Sequence, residues 1–450
     1  MTDNNFDIVI IGSGYRALVS AYLALKKNKK VLIISKTKNL LGIMSPLSWQ
    51  GGKFDKGYQF FDGLNEHTKN FLNDFVGKEV LHNFGYGSAT ITNNKLYPYH
   101  ASAYWPHEGK FFCLKVFFKH LLNFKRNINA YIDKAESYND LLNLLPKEIK
   151  EILTKECERR IGLKPSELSF SAQYSPRFQF RQTILPDNIS TFLKKKFKYF
   201  EYTLASRRKS IGLECISLYP KGKNLGVAGE IMEKKVLEKG AKIISLDGLK
   251  IYNDDLGMVK IVSQGSSIKT KKIYIVTELD DALNFFEKKI TDKSSIYYLP
   301  QIFYFFSINK INSEFQYVMG NNTGGLINRA NNMSLYGEKT SNNEFVISAE
   351  VADNKDKLLW NDPESYTEKV WQEIQLMGLA EKNQKFIRHE IFPIKKTTPL
   401  ELVSFNKVLK ELKIYTKNNF SNKVVFPGLG IPFSRVIFLK EVERQMNLDE

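Results

Sequence analysis

The sequence predicts an α/β fold built on a Rossmann-like nucleotide-binding unit, and three adjacent segments predict it. Residues 6–11 (Phe-Asp-Ile-Val-Ile-Ile) form an apolar run typical of a strand buried on both faces. The glycine turn Gly12-Ser-Gly14-Tyr-Arg-Ala17 follows, and the alanines and leucines of residues 18–27 recur at helical spacing. Residues 29–35 supply a second β-rich run, which completes a strand–helix–strand unit.

The residues of the glycine turn suit the binding of a diphosphate. Gly12 permits the tight turn, Gly14 lacks a Cβ and lets the backbone approach phosphates, and Ala17 keeps helix and strand close. The anion would lie at the helix N-terminus, near Arg16, where unpaired N–H groups and the helix dipole favour negative charge. The turn therefore predicts a dinucleotide site, with a plain glycine-rich turn as the alternative.

The end of the second strand departs from the usual pattern. Ser35 and Lys36 stand where an acid would accept hydrogen bonds from the ribose hydroxyls. A serine hydroxyl can still bond a ribose hydroxyl, although less strongly than a carboxylate. A Ser-Lys pair also suits a 2′-phosphate, so this position leaves both FAD and NADP open.

Composition indicates a globular chain of two or three domains. The 450 residues are 43% apolar and 25% charged. The three cysteines show neither paired nor metal-ligand spacing, and the N-terminus lacks a basic and apolar leader, so we expect a reduced, cytoplasmic protein. No run of about 18 apolar residues predicts a spanning helix. The six histidines show no metal-binding spacing, so no metal site is predicted.

The net charge of +18 indicates an anionic partner or a solvated lysine-rich surface. Basic clusters at 115–126, 194–198 and 207–209 suit phosphates, nucleic acid or an anionic membrane. The sequence lacks zinc-finger spacing and an RNP-like strand, so we expect no nucleic acid and favour a small anionic substrate. The aromatic stretches at 111–112, 117–118, 197–200 and 297–306 are predicted to pack in cores. Peripheral membrane contact is left open but is not favoured.

Segments beyond the first unit resemble, in order, a flavoprotein superfamily of amine oxidases, protoporphyrinogen oxidases, phytoene desaturases and UDP-galactopyranose mutases. Leu41-Gly42 resembles the Gly-Gly pair that lies along the FAD pyrophosphate, with leucine in place of the first glycine. Asp55-Lys-Gly57 resembles the segment that leads to the flavin ring. Similar segments follow at 95–99, 160–168, 219–222, 240–249, 272–277, 326–334 and 426–434, so the resemblance covers most of the chain.

The resemblance implies a Rossmann-like FAD-binding domain of the glutathione-reductase type with an inserted mixed α+β substrate domain. Residues 1–95, 206–285 and 396–450 would form the FAD-binding domain. Residues 96–205 would form a mostly helical part of the substrate domain, and residues 286–395 its β-rich part.

The turn and the resemblance together imply a set of FAD-binding residues: Gly12, Gly14, Arg16, Ala17, Ser35, Lys36, Gly42, Gly57, Tyr58, Leu249, Gly428, Gly430 and Ile431. A backbone group near Leu249 would hold the adenine. Gln59 and Arg329 are the candidate catalytic residues. The amide of Gln59 cannot act as an acid or base, so it would orient substrate or flavin by hydrogen bonds.

The candidate substrate-binding residues are Tyr97, Tyr174, Arg177 and Arg181, because arginine can grip a phosphate or carboxylate and tyrosine can stack or donate a hydrogen bond. The predicted function is an FAD-dependent oxidoreductase acting on a small, anionic metabolite such as a nucleotide-linked sugar. Two alternatives stay open: a redox-neutral flavoenzyme similar to UDP-galactopyranose mutase, and a cofactor-free binding or scaffold protein with the same fold. The sequence does not predict the substrate itself, the electron acceptor or the oligomeric state.

Overall fold

The structure is a computed structural model of the 450-residue chain. It describes residues 5–57, 59–84, 87–98, 103–104, 108–174, 181–205, 216–254, 257–263, 266–287, 295–320, 325–352, 358–430 and 434–447. The predicted positions Tyr58, Arg177 and Ile431 lie outside the described residues, as does the basic cluster at 207–209.

The described residues form 21 strands and 14 α-helices. The strands are β1 Asn5–Ile11, β2 Val31–Ser35, β3 Leu47–Trp49, β4 Gly52–Phe54, β5 Phe61–Leu64, β6 Leu81–Asn83, β7 Ser88–Thr92, β8 Lys95–Pro98, β9 Ala103–Tyr104, β10 Gln182–Thr183, β11 Ile216–Pro220, β12 Lys242–Ser245, β13 Lys250–Asn253, β14 Val259–Ser263, β15 Ser266–Ile275, β16 Ile296–Ile308, β17 Tyr317–Gly320, β18 Ile327–Asn332, β19 Phe345–Ala352, β20 Arg388–Glu401 and β21 Val424–Val425. The helices are α1 Gly14–Lys26, α2 Glu66–Val76, α3 Lys110–Leu122, α4 Ile128–Ile132, α5 Tyr138–Leu142, α6 Lys147–Ile161, α7 Asp187–Lys196, α8 Lys198–Thr203, α9 Leu225–Glu238, α10 Leu279–Leu283, α11 Leu358–Asn361, α12 Thr367–Leu376, α13 Phe405–Phe420 and α14 Arg435–Asn447.

The first large sheet contains the predicted nucleotide-binding unit. Its order is β12-β2-β1-β15-β14-β13, with β21 beside β15. Strands β12, β2, β1, β15 and β21 are parallel, whereas β13, β14 and β15 form an antiparallel meander. Alternate residues of β1 enter two cores, one with α1, α9 and α14 and the other with α13. The predicted strand, helix and strand of the first unit are confirmed.

The second large sheet joins distant parts of the chain. Its order is β20-β16-β19-β18-β17-β7-β8, and all its pairs are antiparallel except β17 with β7. Helix α12 packs on this sheet through Val370, Trp371 and Ile374. The domain limits inferred from the sequence stay predictions.

The helices of residues 110–203 enclose a separate core around Tyr138, Tyr199 and Phe200. Ser137 and Asp140 form a reciprocal capping box at the start of α5, which satisfies N–H groups that a helix start leaves unpaired. Gly162 ends α6 at φ +81°, a left-handed conformation that glycine adopts without a Cβ clash. None of the described helices is both long and apolar enough to cross a membrane.

Core packing is confirmed for most residues of the aromatic stretches and is wrong for three phenylalanines. Phe200 and residues 303–306 are buried. In contrast, Phe111, Phe118 and Phe197 are exposed, because α3 and the end of α7 turn these side chains away from the helical core.

Candidate functional site

The turn between β1 and α1 brings two glycine backbones into contact. Gly12 has φ +138°, and a Cβ added there would lie 2.8 Å from Cγ2 of Val276. Gly14, at φ +75°, donates its N–H to the carbonyl oxygen of Leu40 over 2.6 Å. A Cβ added at Gly42 would lie 3.0 Å from Cα of Gly14. Since side chains do not fit between these segments, the backbone itself forms the wall of the turn. We call Gly12, Gly14 and Gly42 the glycine cradle.

The first turn of α1 begins at the glycine cradle, and Gly14 already donates its N–H to Leu40. Ser13 is the N-cap, and its side chain makes no capping hydrogen bond. The first turn contains no acidic residue and includes Arg16. Unsatisfied N–H groups, the positive end of the helix dipole and a guanidinium together favour an anion. These residues therefore fit a diphosphate.

Arg16 lies among groups that only the tertiary structure brings together. A Cβ added at Gly428 would lie 3.1 Å from Nε of Arg16, so the loop before α14 passes against this guanidinium. Burial raises the pKa of Glu278 and of Glu401, and the positive charge of Arg16 opposes both rises. Glu401 also accepts a hydrogen bond from the hydroxyl of Ser171. No sequence motif includes Glu278 or Glu401, so neither was predicted as a site residue.

Ser35 and Lys36 lie in different surroundings at the end of β2. Ser35 is buried, and its Oγ accepts a hydrogen bond from the N–H of Thr37 over 3.4 Å. Lys36 is exposed and forms an ion pair with Asp281 over 2.8 Å. Leu249 lies just before β13, with its side chain buried in the core beneath the meander.

The side chain of Leu41 has room because residue 229, on helix α9, is a glycine. Its backbone is in the ordinary right-handed helical region, at φ −70°. Its side chain turns towards α9, where a Cβ added at Gly229 would lie 2.7 Å from Cδ2 of Leu41. The leucine at this position therefore packs against α9, while Gly42 retains the contact with Gly14.

Asp55 anchors the Asp-x-Gly segment to α9. Its Oδ1 accepts the N–H of Leu225 over 2.9 Å, and its Oδ2 accepts the hydroxyl of Tyr219 over 2.5 Å. Asn224, the N-cap of α9, makes no side-chain capping bond, so Asp55 supplies this cap from a distant part of the chain. Burial raises the pKa of Asp55 to about 7. Asp55 belongs to the segment that resembles the flavoproteins, but that resemblance does not predict the hydrogen bonds of its carboxylate.

A buried ion pair lies directly beside Gly57. Arg329 donates from Nε to Oε1 of Glu350 over 2.8 Å and approaches the same oxygen with its terminal nitrogen at 2.6 Å. Glu350 is fully buried, and Asn331 donates to the same carboxylate oxygen over 3.3 Å. A Cβ added at Gly57, which has φ +77°, would overlap this carboxylate. Burial by itself would lower the pKa of Arg329. The negative charge of Glu350 and its hydrogen bond to the guanidinium outweigh this effect, so the pKa of Arg329 is raised.

The structure brings Gly57 and Arg329 to one place but separates other predicted residues. Gln59 donates its amide N–H to the carbonyl oxygen of Lys56 over 2.7 Å, within its own loop. Arg181 donates from Nε to the carbonyl oxygen of Glu201 over 2.7 Å, so it lies against α8. Tyr97 lies on β8, the edge strand of the second large sheet. The side chain of Tyr174 lies outside the described residues. The substrate roles of these residues stay predictions.

Among the described residues, no group of three or more His, Cys, Asp or Glu side chains could hold a metal ion. The loop Gly428-Leu-Gly430 has φ +85° and φ +74° at its two glycines, and it leads to α14.

Comparison with known proteins identifies the fold. Residues 10–75 match the family model of the NAD(P)-binding Rossmann-like domain. The chain is similar in structure to reduced UDP-galactopyranose mutase, with a TM-score of 0.71, 11% identity, and coverage of 98% of this chain and 96% of that chain. No curated protein sequence matches the chain.

Two amine oxidases are also similar in structure over nearly all of their length. Cyclohexylamine oxidase from Brevibacterium oxydans has a TM-score of 0.62 and 12% identity, covering 99% of this chain and 100% of that chain. A double mutant of putrescine oxidase with redesigned cofactor binding has a TM-score of 0.63 and 9% identity, covering 99% of each chain. The predicted fold, a Rossmann-like domain with an inserted substrate domain, is confirmed.

Proposed function

We propose that this chain is an FAD-dependent oxidoreductase that acts on a small, anionic metabolite, with nucleotide-linked sugars as the favoured class. The observation that carries the proposal is the glycine cradle at the uncapped N-terminus of α1. Gly14 and Gly42 approach so closely that a Cβ would fill the space, which is what close backbone contact with a diphosphate requires. FAD, when bound, supplies hydride or electron transfer.

The remaining cofactor contacts follow from the arrangement of the first sheet. The glycine cradle and Arg16 would hold the diphosphate, Ser35 the ribose, and the backbone at Leu249 the adenine. Lys36 is paired with Asp281, so it is not available to a 2′-phosphate without losing that ion pair. Ala17 is buried in α1 against the sheet and supports the cradle without contacting the anion.

The substrate would meet the cofactor at the Gly57 segment. Glu350 holds the Arg329 guanidinium in one orientation by two contacts to one carboxylate oxygen. Arg329, with 14% of its side chain exposed, would orient an anionic substrate group or the flavin. Gln59 would contribute hydrogen bonds after leaving its contact with Lys56. The net charge of +18 supports an anionic substrate, because it raises the local concentration of anions.

The deciding experiment is the visible absorption spectrum of the purified full chain, followed by release and identification of any bound cofactor. We expect a flavin spectrum and released FAD, either as purified or after reconstitution. A colourless protein that cannot be reconstituted with FAD would contradict the proposal and favour the cofactor-free binding protein.

A redox-neutral reaction is the second candidate, since reduced UDP-galactopyranose mutase superposes with the TM-score of 0.71. A thermal-shift screen of nucleotide sugars identifies ligands, because binding to the native state raises stability by mass action. Reduction of oxygen or of an artificial acceptor after adding such a ligand distinguishes the two: an oxidoreductase consumes the acceptor, whereas a mutase-like enzyme does not.

A further inference from the structure

The helical part of the substrate domain exposes an unusual amount of aromatic surface. Eight large apolar side chains are exposed on α3, on α7 and just after α7. We call them the phenylalanine face: Phe111, Leu114, Phe118, Leu121, Leu122, Ile189, Phe192 and Phe197. They include all the exposed phenylalanines of the described part of the chain. Contiguous exposed apolar surface marks an interaction site more often than scattered residues do.

Helix α3 has two apolar sides, only one of which the fold uses. Cys113, Val116 and His120 are buried in the helical core. The exposed members of α3 recur at intervals of three and four residues, so they share the opposite side of the helix. Phe111 is 83% exposed and Leu122 is 85% exposed. Packing within this chain therefore does not account for the second apolar side.

The exposed residues of α3 and α7 belong to one region. Phe124, just beyond α3, contacts Phe197, just beyond α7, with ring centroids 5.9 Å apart. Phe117 on α3 stacks on Phe200 of α8 at 6.2 Å. These contacts join the C-terminal ends of the two helices, so the exposed side chains at those ends lie in one region.

The charge around the phenylalanine face is mostly positive, with Glu108 before α3 and Asp187 at the start of α7 as its acidic neighbours. Residues 110–126 contain four lysines, one arginine and no acidic residue. Residues 194–198 add four lysines and no acid. Nζ of Lys196 lies 5.7 Å from the ring centroid of Phe192 and 6.0 Å from that of Phe197, so positive charge and exposed rings are in direct contact. Lys119 forms an ion pair with Glu148 of α6, so its charge is already compensated within the chain.

We propose that the phenylalanine face binds the surface of an anionic lipid bilayer. The rings would enter the boundary between headgroups and acyl chains, and the surrounding lysines would contact anionic headgroups. Helix α3 has 13 residues, too few to span a bilayer, so it would lie in the plane of the interface. The positive surround matches anionic lipid, whereas a second copy of this chain would bring the same charges together and repel.

The test is co-sedimentation of the full chain with vesicles of phosphatidylcholine plus phosphatidylglycerol and with vesicles of phosphatidylcholine alone. We expect binding to the anionic vesicles only, and weaker binding as salt increases. The double variants F111S/F118S and K110E/K115E should each lower the apparent affinity by about tenfold or more. The matched control is L376S/I414S, which replaces two exposed apolar residues outside the face and should bind as the wild type does.

Several results would overturn the proposal. The proposal is wrong if the wild type does not bind anionic vesicles, or if F111S/F118S binds them as well as the wild type does. It is also wrong if the control L376S/I414S loses as much vesicle affinity as F111S/F118S. A dimer in solution that F111S/F118S dissociates, without vesicle binding, would assign the face to a second copy of the chain. Circular dichroism of each variant checks that it is folded. None of these readouts requires bound FAD, so this proposal fails or holds independently of the proposed function.

Discussion

The glycine cradle and the Arg329–Glu350 pair, which the proposed function assigns to cofactor and substrate, are built by opposite means. The cradle is made of backbone, and its essential feature is the lack of side chains at Gly12, Gly14 and Gly42. The ion pair is made of charged side chains on adjacent strands, where Arg329 and Glu350 are register partners of β18 and β19. The first region can hold only what fits a fixed backbone, whereas the second depends on the electrostatic balance between two buried groups.

This difference predicts how substitutions in each region affect ligand binding and stability. A new side chain in the cradle would block a ligand with little effect on the remainder of the fold. Loss of one partner from the ion pair would leave a buried charge without compensation, so the whole fold would lose stability. Four predictions test this contrast, from the largest expected effect to the smallest.

Replacing Glu350 with alanine should lower the free energy of unfolding by about 3–5 kcal/mol, because the buried Arg329 guanidinium loses its partner. Urea unfolding of the full chain measures this loss. The matched control is the double replacement R329M/E350M, which removes both charges and should be closer in stability to the wild type. Equal destabilisation by the single and double variants would show that packing, and not charge, governs this region.

Asp55→Asn should change how stability depends on pH. Burial raises the pKa of Asp55 to about 7 in the folded protein, above its value of about 3.9 in an unfolded chain. The folded state therefore binds an extra proton between these values, so the wild type loses stability relative to D55N as the pH rises from about 4 to about 7. The relative loss should be roughly 4 kcal/mol, since the two pKa values differ by about three units and one unit corresponds to about 1.4 kcal/mol.

Urea unfolding of both proteins at a series of pH values measures this difference. Above about pH 7 the difference between the two proteins should become constant, because Asp55 is then ionised in both the folded and the unfolded state. A difference that does not vary with pH would mean that Asp55 titrates normally in the folded protein.

Gly42→Ala should reduce FAD content more than stability. The new Cβ would lie 3.0 Å from Cα of Gly14, and the positive φ of +57° adds strain of about 1–3 kcal/mol. Gly63→Ala is the control, because Gly63 has a similar φ of +62° with no atom near its Cβ position. G63A has the same kind of backbone strain without the close contact, so G42A should lose at least as much stability as G63A, and only G42A should lose FAD affinity, by about tenfold or more. Equal FAD content in the two variants would separate the cradle from cofactor binding.

Lys36→Ala should have the smallest effect. Lys36 and Asp281 form an exposed ion pair, and such pairs contribute about 0–1 kcal/mol. Thermal unfolding and FAD titration should both give values near those of the wild type. A large loss of FAD affinity would show that Lys36 contacts the cofactor instead of Asp281, and would reopen the choice between FAD and NADP.

The fold was predicted correctly where the pattern that specifies it lies within one short segment of the sequence. The first unit is read from strand and helix periodicity within one segment, so its elements agree with the structure. The pairing of Arg329 with Glu350 depends on the register of two strands, which periodicity does not specify. The burial of residues 303–306 follows from their central strand, but the exposure of Phe111 and Phe118 does not follow from composition. Aromatic content alone does not tell which side of a helix the fold covers.

The packing of Leu41 against Gly229 has an evolutionary consequence. The leucine occupies the space that a side chain at position 229 would need, so the two positions constrain each other's history. In a lineage that acquired alanine at 229 first, a leucine at 41 would have to move its Cδ2 away from the new Cβ, whereas glycine at 229 requires no such movement. The order in which such substitutions arise, and not only their identity, therefore affects what each one costs in stability.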